Sequence, residues 1–218
     1  MSIARPENAE TFAAFLLRMR GIGLSDKALM SAIEATPRKS FVPGAWQTVA
    51  FSDRMIPIEC GQSIEGIDLQ AIAIANLDLN KDHRVLEIGT GSGFTSAVIG
   101  RLAGRVTTVD RYRTLAEQAR QRHEHLGLAN VVARQADGSD GLRAEGPFDR
   151  IICWASFAEP PRQAVEWLAT NGVIVAPVGP DEGVQSLTKL TKIGSRFDAV
   201  DIAPVRLHPL IDGVAAAL

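Results

Sequence analysis

Apolar residues follow two rhythms along this chain. Near the N-terminus Phe12, Phe15, Leu16 and Met19 recur at steps of three and four, which predicts one face of a helix that Gly21 and Gly23 end. A second helix is expected after a cap at Ser25-Asp26, with Leu29, Met30 and Ile33 inward and Thr36-Pro37 closing it. Residues 40–58 lose the period. Phe41-Val42-Pro43-Gly44 and Trp46 read as an irregular arm packing its aromatics elsewhere, and Met55-Ile56-Pro57-Ile58 as a short extended run leading into Cys60-Gly61-Gln62-Ser63. Leu69, Ile72, Ala73, Ala75, Asn76 and Leu79 restore helical spacing over residues 68–79.

Beyond Arg84 the rhythm alternates. Residues 84–88 form a short apolar run that predicts a buried strand, and Phe94, Ala97, Val98 and Leu102 space a helix. Strands are expected at 106–109, 131–134, 148–154 and 173–177, with helices at 113–126 and, opened by Pro161, at 161–168. Residues 186–193 and 199–205 flank a turn at Gly194-Ser195 and predict a terminal hairpin. Strands alternating with helices through short links imply right-handed crossovers and a sheet covered on both faces. The expected fold is α/β: a doubly wound, mostly parallel seven-stranded sheet with a C-terminal antiparallel hairpin and an N-terminal helical extension. Residues 1–79 are read as helices and a covering arm of the same domain, and 80–218 as its ligand-binding core.

Size and charge narrow the function classes. A chain of 218 residues suits one domain with a sizeable core, and a formal net charge of −2 gives no electrostatic case for nucleic acid. Cys60 and Cys153 are distant and fit no paired motif, so a reducing compartment is the simpler expectation. No secretory leader or membrane-length apolar run stands out, and a soluble cytoplasmic protein, monomer or homodimer, is expected.

The chemistry concentrates after the first strand. Gly89-Thr90-Gly91-Ser92-Gly93 follows Glu87 with the spacing E-x-G-x-G-x-G, and Phe94 stands where a dinucleotide fingerprint wants its third glycine. In open α/β sheets ligands sit beyond the carboxyl ends of the strands, at the switch in strand order. Asp110, some twenty residues past the turn, is placed to accept hydrogen bonds from ribose hydroxyls. Asp137-Gly138, at the end of the third strand, is placed to bond an adenine amino group. Read singly, Asp110 is equally a helix cap, Asp137-Gly138 a plain turn and Glu87 a chance acid. Their order and offsets together favour a nucleoside ligand, and the lack of G-K-[ST] argues against a phosphate-cradling loop. His83, His123 and His125 are expected in a turn or on a solvated helix face, and metal binding is not expected.

With its flanks, this pattern resembles the protein-L-isoaspartate O-methyltransferase family of S-adenosylmethionine-dependent enzymes. The resemblance rests on Ile58-Glu59-Cys60-Gly61-Gln62-Ser63-Ile64 ahead of the glycine turn, Asn130-Val131-Val132 leading to Asp137-Gly138, and Pro147-Phe148-Asp149-Arg150-Ile151-Ile152. Val175-Ala176-Pro177-Val178-Gly179, Pro204-Val205-Arg206-Leu207-His208-Pro209-Leu210 and Thr36-Pro37-Arg38-Lys39-Ser40-Phe41-Val42-Pro43 extend it over nearly the whole chain. It implies methyl transfer from S-adenosylmethionine to the carboxylate of isoaspartyl residues in damaged proteins or peptides. Such a carboxylate, with a pKa near ~3.9, is already ionised at neutral pH and needs no general base. Alignment and exclusion of water can then carry the reaction. The resemblance implies a cofactor set of Gln62, Ser63, Glu87, Gly89, Thr90, Gly91, Gly93, Asp110, Arg111, Asp137 and Gly138. It puts Ser63 and Glu65 at the transferred methyl, and Ile58, Trp154 and His208 on the acceptor side.

One position departs from the family. Its members carry Gly-Gln-Thr-Ile-Ser, whereas this chain reads Gly61-Gln62-Ser63-Ile64-Glu65. Were Glu65 an anion facing the substrate carboxylate, two like charges about 4 Å apart would repel by roughly 4 kcal/mol at an effective dielectric of ~20. Three outcomes relieve this: Glu65 turns to solvent, burial protonates it, or the acceptor differs. A small-molecule hydroxyl, amine or carboxylate acceptor, and a non-catalytic cofactor-binding protein, are the alternative readings. The change to Trp154-Ala155-Ser156-Phe157 after the fourth strand either reshapes the acceptor pocket or fills core.

Overall fold

The fold was analysed in a computed structural model that describes residues 7–216. Helix α1 (Glu7–Gly21) buries Phe15 and Met19, and α2 (Lys27–Glu34) buries Leu29 and Ile33. Asp26 caps α2 by accepting from the N–H groups of Ala28 and Leu29. The arm is a chain of short 3-10 turns over residues 38–49. It ends in a ribbon of β1 (Ile56–Pro57) and β2 (Ser63–Ile64), paired antiparallel. Helix α3 (Ile67–Ala75) follows, tied back to α1 by a bidentate Arg18–Asp68 pair at 2.6 and 2.7 Å.

The main sheet comprises β3 (Arg84–Ile88), β4 (Arg105–Asp110), β5 (Val131–Gln135), β6 (Phe148–Cys153), β7 (Leu168–Val178), β8 (Gln185–Ile193) and β9 (Arg196–Val205). Helices α4 (Phe94–Leu102) and α5 (Arg113–His125) make the β3–β4 and β4–β5 crossovers. The strand order is β5-β4-β3-β6-β7-β8-β9, parallel as far as β7 and antiparallel from β7 to β9. The seven strands and the antiparallel end agree with the sequence expectation. From β3 the chain runs outward through β4 to β5, then returns to the other side of β3 as β6. The switch in order therefore lies at the carboxyl end of β3, where a ligand crevice opens in such sheets.

One apolar cluster joins Phe15, Leu29 and Ile67 of the N-terminal segments to Val85, Phe94, Val98 and Val175 of the sheet region. A second, with Leu86, Ile151, Trp167 and Leu190, fills the space around the other set of strand side chains. Each such large side chain contributes about 1.5–3 kcal/mol by leaving water.

Two expectations change. The helix expected over residues 161–168 is only a 3-10 turn, Arg162–Trp167, because Leu168 already pairs with Phe148 as the first residue of β7. Proline spacing alone could not reveal that early pairing. The expected strand 173–177 is correspondingly longer. His123, expected on a solvated face, is 1 % exposed and packs beneath the glycine turn. His125 is exposed and His83 half-buried.

Candidate active site

The glycine turn is a set of left-handed residues wedged between other elements. Gly91 has φ +52, and a Cβ there would lie 3.1 Å from Ile64 Cγ2. Gly93 has φ +83, and a Cβ would lie 2.7 Å from that of Ala119 on α5. Only glycine meets both demands. The N–H groups of Gly89 and Thr90 both donate to the Val109 carbonyl, at 2.9 and 3.1 Å, which bends the turn over the end of β4. From behind, α5 holds it: Arg122 Nη1 donates to Ser92 O at 2.9 Å and His123 Nε2 to Gly93 O at 2.8 Å.

Glu87 lies wholly buried under the turn. Its carboxyl group accepts from the hydroxyls of Thr95 and Thr108 and from the indole N–H of Trp154 at 3.0 Å. Burial raises its pKa against those donors. Thr90 joins the same network, its hydroxyl 2.7 Å from that of Thr108. Glu87, Thr90 and Trp154 thus brace the turn through one another, and the Trp154 indole is directed at Glu87.

Asp110 ends β4 with Oδ2 accepting from Gly91 N at 2.9 Å and Oδ1 from Tyr112 N at 3.0 Å. Burial raises its pKa, opposed by those two main-chain donors and by Arg111. Asp137 follows β5. Burial raises its pKa, but the donors Ser139 and Gly213, with Arg111, outweigh that and hold it below the ordinary carboxylate value. Gly138 packs against the Ile88 side chain. The Arg111 carbonyl takes donors from Gln135 and Ala215, at 3.0 and 2.9 Å.

The β1–β2 ribbon covers the front. Ile64 rests on Gly91 and Ile58 lies near it, while Gln62 Nε2 donates to the Tyr112 hydroxyl at 3.4 Å. Ser63 Oγ donates to Met55 Sδ at 3.1 Å. Next along, the Glu65 side chain borders a cavity of about 340 Å³ shared with Asp53, Met55, Asp68, Leu69 and Pro204. Burial, then the charge of Asp53, pushes its pKa up to about 7. His208 is exposed, and its carbonyl accepts from Ser156 N at 2.8 Å.

Of the cofactor set expected from sequence, the residues from Glu87 onward gather at the carboxyl ends of β3, β4 and β5, whereas Gln62 and Ser63 lie at the covering ribbon. Ser63 sits on the covering ribbon with Ile58 and Glu65 directly beside it, and His208 is exposed. Sequence reasoning missed Tyr112, His123, the C-terminal residues Gly213 and Ala215, and Arg38, which donates to the Glu65 carbonyl. No local pattern marks these contacts, since the nearest of their partners lies 27 positions away.

Two carboxylates and a glycine turn, without a lysine or arginine cradle of the phosphate-loop kind, suit the hydroxyl and amino groups of a nucleoside. Comparison with known proteins agrees. A family profile for protein-L-isoaspartate(D-aspartate) O-methyltransferase matches residues 12–215. The protein-L-isoaspartate O-methyltransferase of Azorhizobium caulinodans is 43% identical over 218 residues, the whole of both chains. That of Rhizobium meliloti is 43% identical over 202 residues, covering 93% of this chain and 99% of its own. The crystal structure of a Plasmodium falciparum relative with S-adenosyl-L-homocysteine has a TM-score of 0.77 at 20% identity, covering 91% of this chain and 97% of the other. That likeness establishes the fold, and the sequence matches establish the kinship: this chain belongs to the protein-L-isoaspartate(D-aspartate) O-methyltransferase family.

Proposed function

We infer that this protein methylates the carboxylate of isoaspartyl residues in proteins and peptides, with S-adenosylmethionine as methyl donor. The observation that carries this is the 43% identity with a named isoaspartyl methyltransferase along the whole of both chains. No observation of comparable weight favours a small-molecule acceptor or a non-catalytic role. The free thiols of Cys60 and Cys153 support a cytoplasmic setting.

The residues fit the donor. Asp110 and Asp137 keep lone pairs beyond those their main-chain partners use, so they can accept from ribose hydroxyls and the adenine amino group. Gly89, Gly91 and Gly93 let the ligand approach the backbone, with Thr90 and Glu87 bracing them from behind. Gln62, Ser63 and Arg111 border the same cleft, and Gly138 lets its loop pack against the Ile88 side chain at the end of β3. When bound, the cofactor supplies a sulfonium-activated methyl group.

On the acceptor side, Ser63 and Glu65 orient the substrate carboxylate and Ile58 helps exclude water. A Glu65 pKa of about 7 leaves roughly half of that side chain protonated at neutral pH. In that form it donates a hydrogen bond to a carboxylate, as the family serine would, and the repulsion of two anions is relieved. We assign residues 1–79 to an acceptor-side arm of the same domain.

The test is incubation with radiolabelled S-adenosylmethionine and an isoaspartyl peptide, with the aspartyl peptide as control. Base-labile methyl ester on the isoaspartyl peptide alone is expected. Its absence, with S-adenosylhomocysteine binding intact, would overturn the acceptor assignment.

A further inference from the structure

Arg38 is 0 % exposed, and among the described residues no carboxylate pairs with it. Its guanidinium instead divides its donors among three elements. Nε donates to the Ala50 carbonyl of the arm at 2.5 Å, Nη1 to Gln70 Oε1 of α3, and Nη2 to the Glu65 carbonyl at 3.0 Å. Its Cζ lies 4.5 Å from the centroid of the Phe94 ring, which follows Gly93 directly and opens α4. Burial pushes its pKa down to about 9, opposed by Asp68. A buried cation lacking a counter-carboxylate is costly, and a leucine or methionine would fill a site against the Phe94 ring without that cost. What only a fork of donors can do here is fix carbonyl groups of separate segments in one place.

Two of these contacts, the Glu65 carbonyl and the Phe94 ring, reach the two sides of the proposed reaction site. Glu65 belongs to the short link between β2 and α3, and in that link its main chain has Arg38 as a side-chain partner. Phe94 anchors the far end of the glycine turn. We propose that Arg38 is a positioning residue for methyl transfer: through the Glu65 carbonyl and the Phe94 ring it fixes the acceptor loop against the cofactor turn. This rests on the reading of Ser63–Ile64 and Glu65 as the acceptor loop.

The test compares R38K and R38M with the parent. Loss of one charge-assisted bond to the loop should slow kcat for an isoaspartyl peptide by about tenfold or more in R38M. The Kd for S-adenosylhomocysteine should stay within about twofold, and R38K should recover part of kcat. Amide hydrogen exchange gives a readout independent of turnover: exchange over residues 62–66 should rise about tenfold while residues 89–93 stay protected. An unchanged kcat in folded R38M, or exchange rising equally over the arm, α3 and the glycine turn, would overturn the proposal. If R38M does not fold, R38K carries the same exchange comparison. A parent that makes no methyl ester overturns the substrate assignment alone, because the exchange pattern still decides the role of Arg38.

Discussion

Asp137 Oδ2 accepts a hydrogen bond at 2.8 Å from the main-chain N–H of Gly213, 76 residues further on. Two residues later Ala215 donates to the Arg111 carbonyl at 2.9 Å. The C-terminal segment thus lies along the edge of the cleft and occupies an oxygen assigned above to the adenine amino group. Deleting residues 212–218 frees that oxygen. One hydrogen bond to a charged carboxylate is worth about 1.5–3 kcal/mol, so S-adenosylhomocysteine should bind roughly ten- to a hundredfold tighter by titration calorimetry. Weaker binding after the deletion would mean that the segment walls the site instead of competing for it.

Glu65 gives the enzyme a pH signature. Its folded pKa of about 7 lies above the ordinary 4.5, so the side chain is protonated below 7 and charged above it. The substrate carboxylate is ionised throughout that window. kcat/KM for an isoaspartyl peptide should fall as pH rises through about 7, and the fall should disappear in E65Q. The same shift affects stability. Because the unfolded chain releases this proton more readily, the folded state loses stability between pH 4.5 and 7, by roughly 3 kcal/mol in all. Urea unfolding should therefore find E65Q more stable than the parent at pH 8, with the gap shrinking toward pH 4.

Trp154 donates to a carboxyl group that has no access to water. W154F keeps an aromatic ring, though a smaller one, and removes the donor, leaving Glu87 with its two threonine partners. The expected cost is about 1–3 kcal/mol of stability, seen as a lower urea midpoint, with the KM for peptide unchanged. A raised KM without loss of stability would place Trp154 on the acceptor instead.

Much of this was legible in the sequence, for definite physical reasons. The β3 run, the glycine turn and Asp110 are local: strand period, left-handed backbone and strand-end acid all lie within a short window. The 3-10 turn at Arg162–Trp167 was not, because the pairing of Leu168 with Phe148 that ends it is a sheet contact between distant positions. Glu65 shows the same division. Its departure from the family pattern is visible in one line of sequence, but the burial that raises its pKa, and the Asp53 charge that adds to it, arise only on folding. Arg38 stands within a family motif without any hint that its donors join the arm, α3 and the link between β2 and α3.

His123 is the last case, and the sequence reading misplaced it. The polar look of α5 suggested a solvated imidazole, yet Nε2 donates to Gly93 O and Nδ1 is buried with no hydrogen-bond partner among the described residues. Burial lowers its pKa, partly offset by the Gly93 carbonyl, while Arg122 lowers it further. A folded pKa below the unfolded value of 6.5 means that the unfolded chain takes up the proton first. The stability this group supports is therefore present above 6.5 and is lost as pH falls below it. H123Q can retain a donor to Gly93 without titrating, so its thermal midpoint should depend less on pH between 7.5 and 5.5 than the parent's, a range chosen about the ordinary histidine value. Because Gly93 closes the glycine turn, H123L should weaken S-adenosylhomocysteine binding as well as stability, whereas H123Q should spare binding. Equal binding by H123L, H123Q and the parent would limit His123 to holding α5 in place.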